Sequence, residues 1–188
     1  MSDEKIIKLN TPLDKALLAT LKAGDAVLLS GTVYSARDAA HKKLIAMLKK
    51  GEPLPFPIVG QAIYHMGPCP ARPGSVIGPC GPTTSGRMDR YTPALLEQGL
   101  CAILGKGILS PGTAEALVRH GAVYFAATGG AGTLYMSCVR SARTAAFPEL
   151  GPEAVLELQI EDFPLIVAVD THGEDLFRTG PEKYRKQY

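Results

Sequence analysis

The sequence predicts an α/β fold, and three observations carry that expectation. "LCAILGKGILSPGTAEALVRHGAVYFAAT" reads as strand, turn, helix, strand, a βαβ unit that implies parallel pairing. "PLIVAVD" is continuously apolar, the pattern of a strand buried on both faces. "DAVLLSGTVY", β-branched and apolar, lies between two segments with clear helix ends.

Taken in order, the first helix is expected to start at Thr11 as cap, with Pro12 in its first turn and Asp14 at capping-box spacing, and to end at Gly24. The strand follows. The spacing of Ser35 and Asp38, S-x-x-D, then opens a second helix that Gly51 closes. From Glu52 to Pro82 the chain is rich in Pro and Gly and reads as loops around a short strand at "QAIYHM". "TPALLEQG" is a short helix capped by Thr92, with Pro93 first and Gly99 just past its end. After the βαβ unit, "AVLELQI" and "PLIVAVD" read as two strands. No repeat or linker divides the 188 residues, so the chain reads as one domain, and its 46% apolar content suffices for a core.

Composition excludes several function classes. The net charge is only +2, and no Lys/Arg run alternates with stacking aromatics, so nucleic acid is not an expected partner. The basic stretch Lys183 to Lys186 reads as a solvated end. "MSDEKIIKLN" lacks the apolar core of a signal peptide, and no run of about 18 apolar residues occurs, so a soluble chain without a membrane partner is expected. Cys69, Cys80, Cys101 and Cys138 form no C-x-x-C pair, which disfavours a zinc site or redox dithiol and points to reduced thiols in a cytoplasmic setting.

Candidate chemistry gathers in loops. "GPCGPTTSGRMDRYTP", Gly78 to Pro93, holds three Gly, three Pro and a run of hydroxyls, and fits neither an amphipathic helix nor a buried strand. Thr83, Thr84, Ser85 and Arg87 stand there within five positions. Arg37 falls in the first turn of its helix, where a cation is unfavourable by roughly 0.3–1 kcal/mol unless an anion joins it. It is either a surface arginine paired with Asp38 or another carboxylate, or part of an anion site. His41 shares its helix face and is more simply a structural histidine. Lys106 in "LGKG" follows an apolar strand at the carboxyl end, where open α/β sheets place ligands; a turn lysine is the plainer alternative. "TGGAGT", Thr128 to Thr133, offers backbone N–H groups to an anion or forms a tight structural turn, and matches no P-loop. Arg37, Arg87 and Lys106 together suit a small dicarboxylate.

These residues resemble the β subunit, or C-terminal domain, of the class I iron–sulfur hydro-lyases, the fumarases and L(+)-tartrate dehydratases. "GPTTSGRMD" is the most specific match, supported in order by "SGTVYSARDAAHK", "IYHMGPCP", "GLCAILGKG", "VYFAATGGAGTLYM" and "LGPEAVLELQIEDFPLIVAVDTHG". The resemblance implies a three-layer β/β/α swivelling-type domain with a mixed sheet, working with a separate α subunit in an assembly of several αβ units. It implies a [4Fe–4S] cluster held by cysteines of the α subunit and not by this chain. The implied reaction is reversible hydration of fumarate to L-malate, with Thr83 as the proton-transferring residue and Arg37, Thr84, Arg87 and Lys106 binding substrate. A tartrate dehydratase or mesaconase-type subunit shares these features, and a non-catalytic anion-binding regulatory domain is the reading of a different class. Cys80, inside the central loop, is a minor candidate for contact with the site, whereas no role is carried onto Gly132 or Thr133.

Overall fold

The computed structural model describes residues 6–185, so Lys186 and most of the charged N-terminal stretch lie outside the described residues. Strands β1 (Ile7–Asn10) and β2 (Ala26–Ser35) flank the short helix α1 (Lys15–Leu18), and α2 (Asp38–Lys49) follows. Next come β3 (Ala62–Tyr64), α3 (Thr92–Glu97), β4 (Ala102–Gly105), α4 (Pro111–His120) and β5 (Val123–Ala126). The chain then runs through α5 (Gly132–Ser137), β6 (Val139–Ala146), β7 (Val155–Val169) and α6 (Leu176–Tyr184).

Strands β2 to β5 pair in parallel, as the βαβ reading requires, and β1 adds in parallel to the first half of β2. The long β7 pairs antiparallel with β5 at one end and with β2 along most of its length, while β6 adds to it from outside. The sheet therefore folds back on itself and makes two layers. Alternation along the parallel strands sorts the cores. Ala62, Tyr64, Ala102, Leu104, Val123 and Phe125 face β7 across an inter-sheet core with Leu158 and Phe163. Ile63, Ile103 and Tyr124 face the opposite core, built with Leu44 of α2, Leu95 of α3 and Leu117 of α4. Sheet, sheet, helices is the β/β/α arrangement with a mixed sheet, as expected, and the period of two along each strand builds it. Among the described residues no helix is long and apolar enough to cross a membrane.

Several expectations need correction. The cap of α1 is Asp14, whose Oδ1 accepts the Ala16 N–H at 2.8 Å; Thr11 instead continues the strand, donating its N–H to the Ser30 carbonyl. Ser35 does not cap α2, because it ends β2 and its hydroxyl accepts the Leu156 N–H from β7. Tyr91, not Thr92, stands at the cap of α3; the Thr92 hydroxyl donates back to Met88. "AVLELQI" and "PLIVAVD" are one strand, since Asp162 takes a left-handed φ of 46° beside the bulge at Gly31 and lets β7 bend without breaking. Within its second half Ile166 is exposed, so that stretch is not buried on both faces. β1, β6, α5 and α6 are additions that the sequence reading lacked.

Candidate active site

The carboxyl ends of the parallel strands collect the candidate residues along one edge. Arg37 comes two residues after β2, Lys106 directly after β4 and Thr128 to Thr133 after β5. The loop after β3 supplies the rest. His65 still pairs with β4 through its N–H to the Leu104 carbonyl, 2.8 Å, and then the two strands part. Pro82 to Thr84 enters the gap: Thr83 donates its N–H to the His65 carbonyl at 2.7 Å, Lys106 donates to Thr83 at 3.3 Å, and Ser85 donates to Lys106 at 2.9 Å. Thr83, Thr84 and Lys106 are thus fixed to one another by sheet-like bonds of the backbone. The preceding excursion is closed at its neck by the Cys69 N–H on the Pro79 carbonyl, and a Cβ on Gly78 would overlap the Cys69 carbonyl there.

Arg37 is the cap residue of α2, one step before the first turn. Its guanidinium pairs with Glu153 at 3.6 Å and packs so closely on Gly67 that a Cβ there would lie 2.8 Å from one of its terminal nitrogens. Glu153 also accepts the Ala39 N–H at 3.0 Å, so a carboxylate does sit at the positive end of α2, supplied by the protein itself. Arg87 pairs with Asp38: its Nε–H donates to Oδ1 at 3.1 Å, and a terminal nitrogen lies 2.9 Å from Oδ2. Asp38 and Arg37 are neighbours in sequence, so both arginines converge on the start of α2. Lys106 reaches along the Thr128–Thr133 loop, where a Cβ on Gly129 would come 3.7 Å from Nζ, and its ammonium has no carboxylate partner among the described residues. That loop is tied to the central one by the Cys80 N–H on the Gly132 carbonyl and to α5 by the Thr128 N–H on the Tyr135 hydroxyl.

Two minor candidates are packed away. His41 is buried and donates Nδ1–H to the Arg37 carbonyl at 2.9 Å; burial holds its imidazole neutral, with its pKa lowered to about 4. Cys80 faces the inter-sheet core, and burial pushes its thiol up to about 12. Cys101 and Cys138 are also buried with raised thiols, and Cys69 stands apart at the surface. No three of the described His, Cys, Asp or Glu residues are grouped to hold a metal, so these thiols do not fit an iron–sulfur cluster.

The sequence reading assigned no role to Glu153 or His65, and it offered Asp38 as a partner of Arg37, whereas the structure pairs Asp38 with Arg87. Asp38 was signalled by its place beside Arg37. Glu153 had no signal, because 116 positions separate it from Arg37 and only the fold joins them.

A family model described as the fumarase C-terminus matches residues 1–180. The chain belongs to the fumarase C-terminus family. Among its relatives, a putative L(+)-tartrate dehydratase subunit beta from Methanocaldococcus jannaschii is 41% identical over 171 residues, 88% of each chain. Fumarate hydratase 2 of Leishmania major is 39% identical over 91% of this chain but 31% of its own length. The aerobic class I fumarate hydratase of Escherichia coli K12 is 38% identical over 92% of this chain and 32% of its own. The chain spans about a third of these two fumarate hydratases and most of the tartrate dehydratase subunit.

Proposed function

We propose that this chain is the β subunit of a two-chain class I fumarate hydratase, interconverting fumarate and L-malate together with an α subunit. The observation that carries the reading is the backbone-locked set of Thr83, Thr84 and Lys106 beside two arginines converging on α2. Two planar guanidiniums and a point-charge ammonium match a substrate with two carboxylates. Substrate carboxylates displace or join Glu153 and Asp38 at Arg37 and Arg87, and Lys106 supplies the charge that the protein leaves unspent. Thr84 adds a hydroxyl donor to a bound carboxylate.

Thr83 moves the proton at the substrate carbon. A threonine hydroxyl is a poor base at neutral pH, and cations nearby reduce the cost of its alkoxide while stabilising charge that builds on the substrate carboxylate. The iron–sulfur cluster, with its Lewis-acid iron, belongs to the α subunit in this reading, since the cysteines of this chain do not fit it. This chain contributes the orientation of the substrate and the proton transfer. The family relatives named class I fumarate hydratase support the reaction, and their extra length supports a need for further chain.

A second reading, the β subunit of an L(+)-tartrate dehydratase, is favoured by the relative of matching length that carries that name. Anaerobic co-purification with the α subunit, followed by assay on fumarate, L-tartrate and mesaconate, separates the two. Turnover of fumarate at the highest kcat/KM is the expected result. Preference for L-tartrate selects the second reading, and full activity of this chain alone without a cluster overturns both.

A further inference from the structure

The buried polar group that the reaction above leaves unused lies directly beneath the threonine pair. His65 is 1% exposed and sits where β3 and β4 part. Its carbonyl accepts the Thr83 N–H at 2.7 Å, while its ring Nδ1 is hydrogen-bonded to Ser85 Oγ at 3.0 Å. Thr83 and Thr84 are the two residues between Thr83 N and Ser85. One residue therefore holds both ends of the segment that carries the two hydroxyls.

The surroundings leave this clamp little freedom. Ser85 is fully buried, and a Cβ on Gly105 would overlap its Oγ, so glycine at that strand end is what admits the Ser85 hydroxyl. The His41 and His65 rings meet at a steep angle with centroids 5.1 Å apart, and His41 is itself fixed through Nδ1–H to the Arg37 carbonyl. Burial lowers the His65 pKa well below the ordinary imidazole value, which keeps the ring neutral and able to share a single proton with Ser85. Contacts thus run from the Arg37 carbonyl, through two imidazoles packed edge to face, to the anchor of Thr83 and Thr84.

We propose that His65 is a positioning residue for the reaction, holding Thr83 by its carbonyl and Ser85 by its ring so that the Thr83 and Thr84 hydroxyls keep a fixed place relative to Lys106. It touches no substrate; it acts through the loop. The proposal rests on the hydratase reading for its kinetic consequence but not for its structural one, and the test has an arm for each. A misplacement of about 1 Å in a reacting group costs about 10²-fold in rate, whereas carboxylate binding is shared among three cations.

The experiment compares His65→Phe, which keeps ring volume and removes the hydrogen bond, with His65→Asn, whose side-chain amide can stand in for Nδ1, and with Ser85→Ala. In the anaerobically assembled two-subunit enzyme, His65→Phe and Ser85→Ala are expected to lower kcat by about 10- to 100-fold with KM changed less than about threefold. Their double variant should lose no more than either alone, because both remove one bond, and His65→Asn should recover most of the rate. In the full chain itself, amide exchange at Thr83 and Ser85 should quicken at least about tenfold in His65→Phe and Ser85→Ala and stay near the parent rate in His65→Asn. Unchanged exchange in His65→Phe overturns the clamp, whatever the substrate is. Quickened exchange in an enzyme whose kcat holds within twofold overturns the kinetic role, and additive losses in the double variant do the same. If Thr83→Ala in that series turns over fumarate normally, the threonine reading fails while the exchange arm still decides the clamp.

Discussion

The two ends of the arginine distribution differ in how their charge is used. On the outer strand β6, Arg143 forks onto Glu157 of β7, with which it is in register, and Arg140 pairs with Glu161. These are cross-strand neighbours on a solvent-facing surface, each cation spent on a carboxylate beside it. At the carboxyl edge of β2 to β5, Arg37 and Arg87 draw their partners from distant segments and Lys106 has none among the described residues. Surface ladders of the first kind contribute little, because water and salt screen them. In the second group the arginines too hold carboxylates, brought from distant segments, and only Lys106, bonded to Thr83 through its backbone, keeps a charge without a carboxylate partner among the described residues.

The largest break in the comparison would come from Thr83→Ala. Kcat of the assembled enzyme should fall by about 10³-fold, within the range of general acid–base contributions, with an unchanged melting midpoint. Steady-state kinetics beside a thermal scan checks it, and near-normal turnover removes Thr83 from the chemistry.

Acid should separate the two regions next. His41 at the site end stays neutral down to about 4 in the fold, whereas an unfolded imidazole titrates near 6.5. Its folded value is depressed, so its contribution is complete above pH 6.5 and is lost as pH falls toward 4. The loss amounts to roughly 3 kcal/mol for this group. Urea titrations across that window should show a steep decline in the parent and a shallower one in His41→Asn.

A smaller effect belongs to the unspent ammonium. Lys106→Ala should raise KM for fumarate about tenfold, of the order of one charged hydrogen bond, with a lesser fall in kcat. Restoring affinity with Lys106→Arg alone would show that charge matters there more than the compact shape of lysine. Arg143→Ala, in the β6 ladder, is the smallest: kcat and KM unchanged, with a midpoint shift too small to separate from the parent. A marked loss of activity in that variant would erase the distinction between the two kinds of arginine.

Much of this was legible in the sequence because local rules governed it. The βαβ unit, the strand of α2's approach and the loop at Gly78 to Pro93 all follow from periodicity and turn residues. β6 was illegible because "VRSARTAA" is mostly small or charged and half-exposed; only pairing with β7 makes it a strand. Ser35 misled because its hydroxyl serves a residue 121 positions away. His65 carried no signal of its own, since a histidine ending an apolar strand looks the same whether or not a serine from a later turn meets it.

The closed neck at Cys69 and Pro79 makes the exposed stretch from Pro70 to Val76 an excursion beside the site, with Ile77 buried in the inter-sheet core where the chain returns. Its turn, with the Ser75 N–H on the Arg72 carbonyl and Gly74 at a φ of +82°, is exposed and borders only solvent at Gly74. Chain inserted there lengthens a loop whose ends are already joined, at a cost that grows slowly with length. The threonines, anchored downstream by the sheet, would not register the change. A peptide tag or fluorescent reporter at Gly74 is therefore a means of testing whether the proposed α subunit approaches this edge, without altering the candidate site residues.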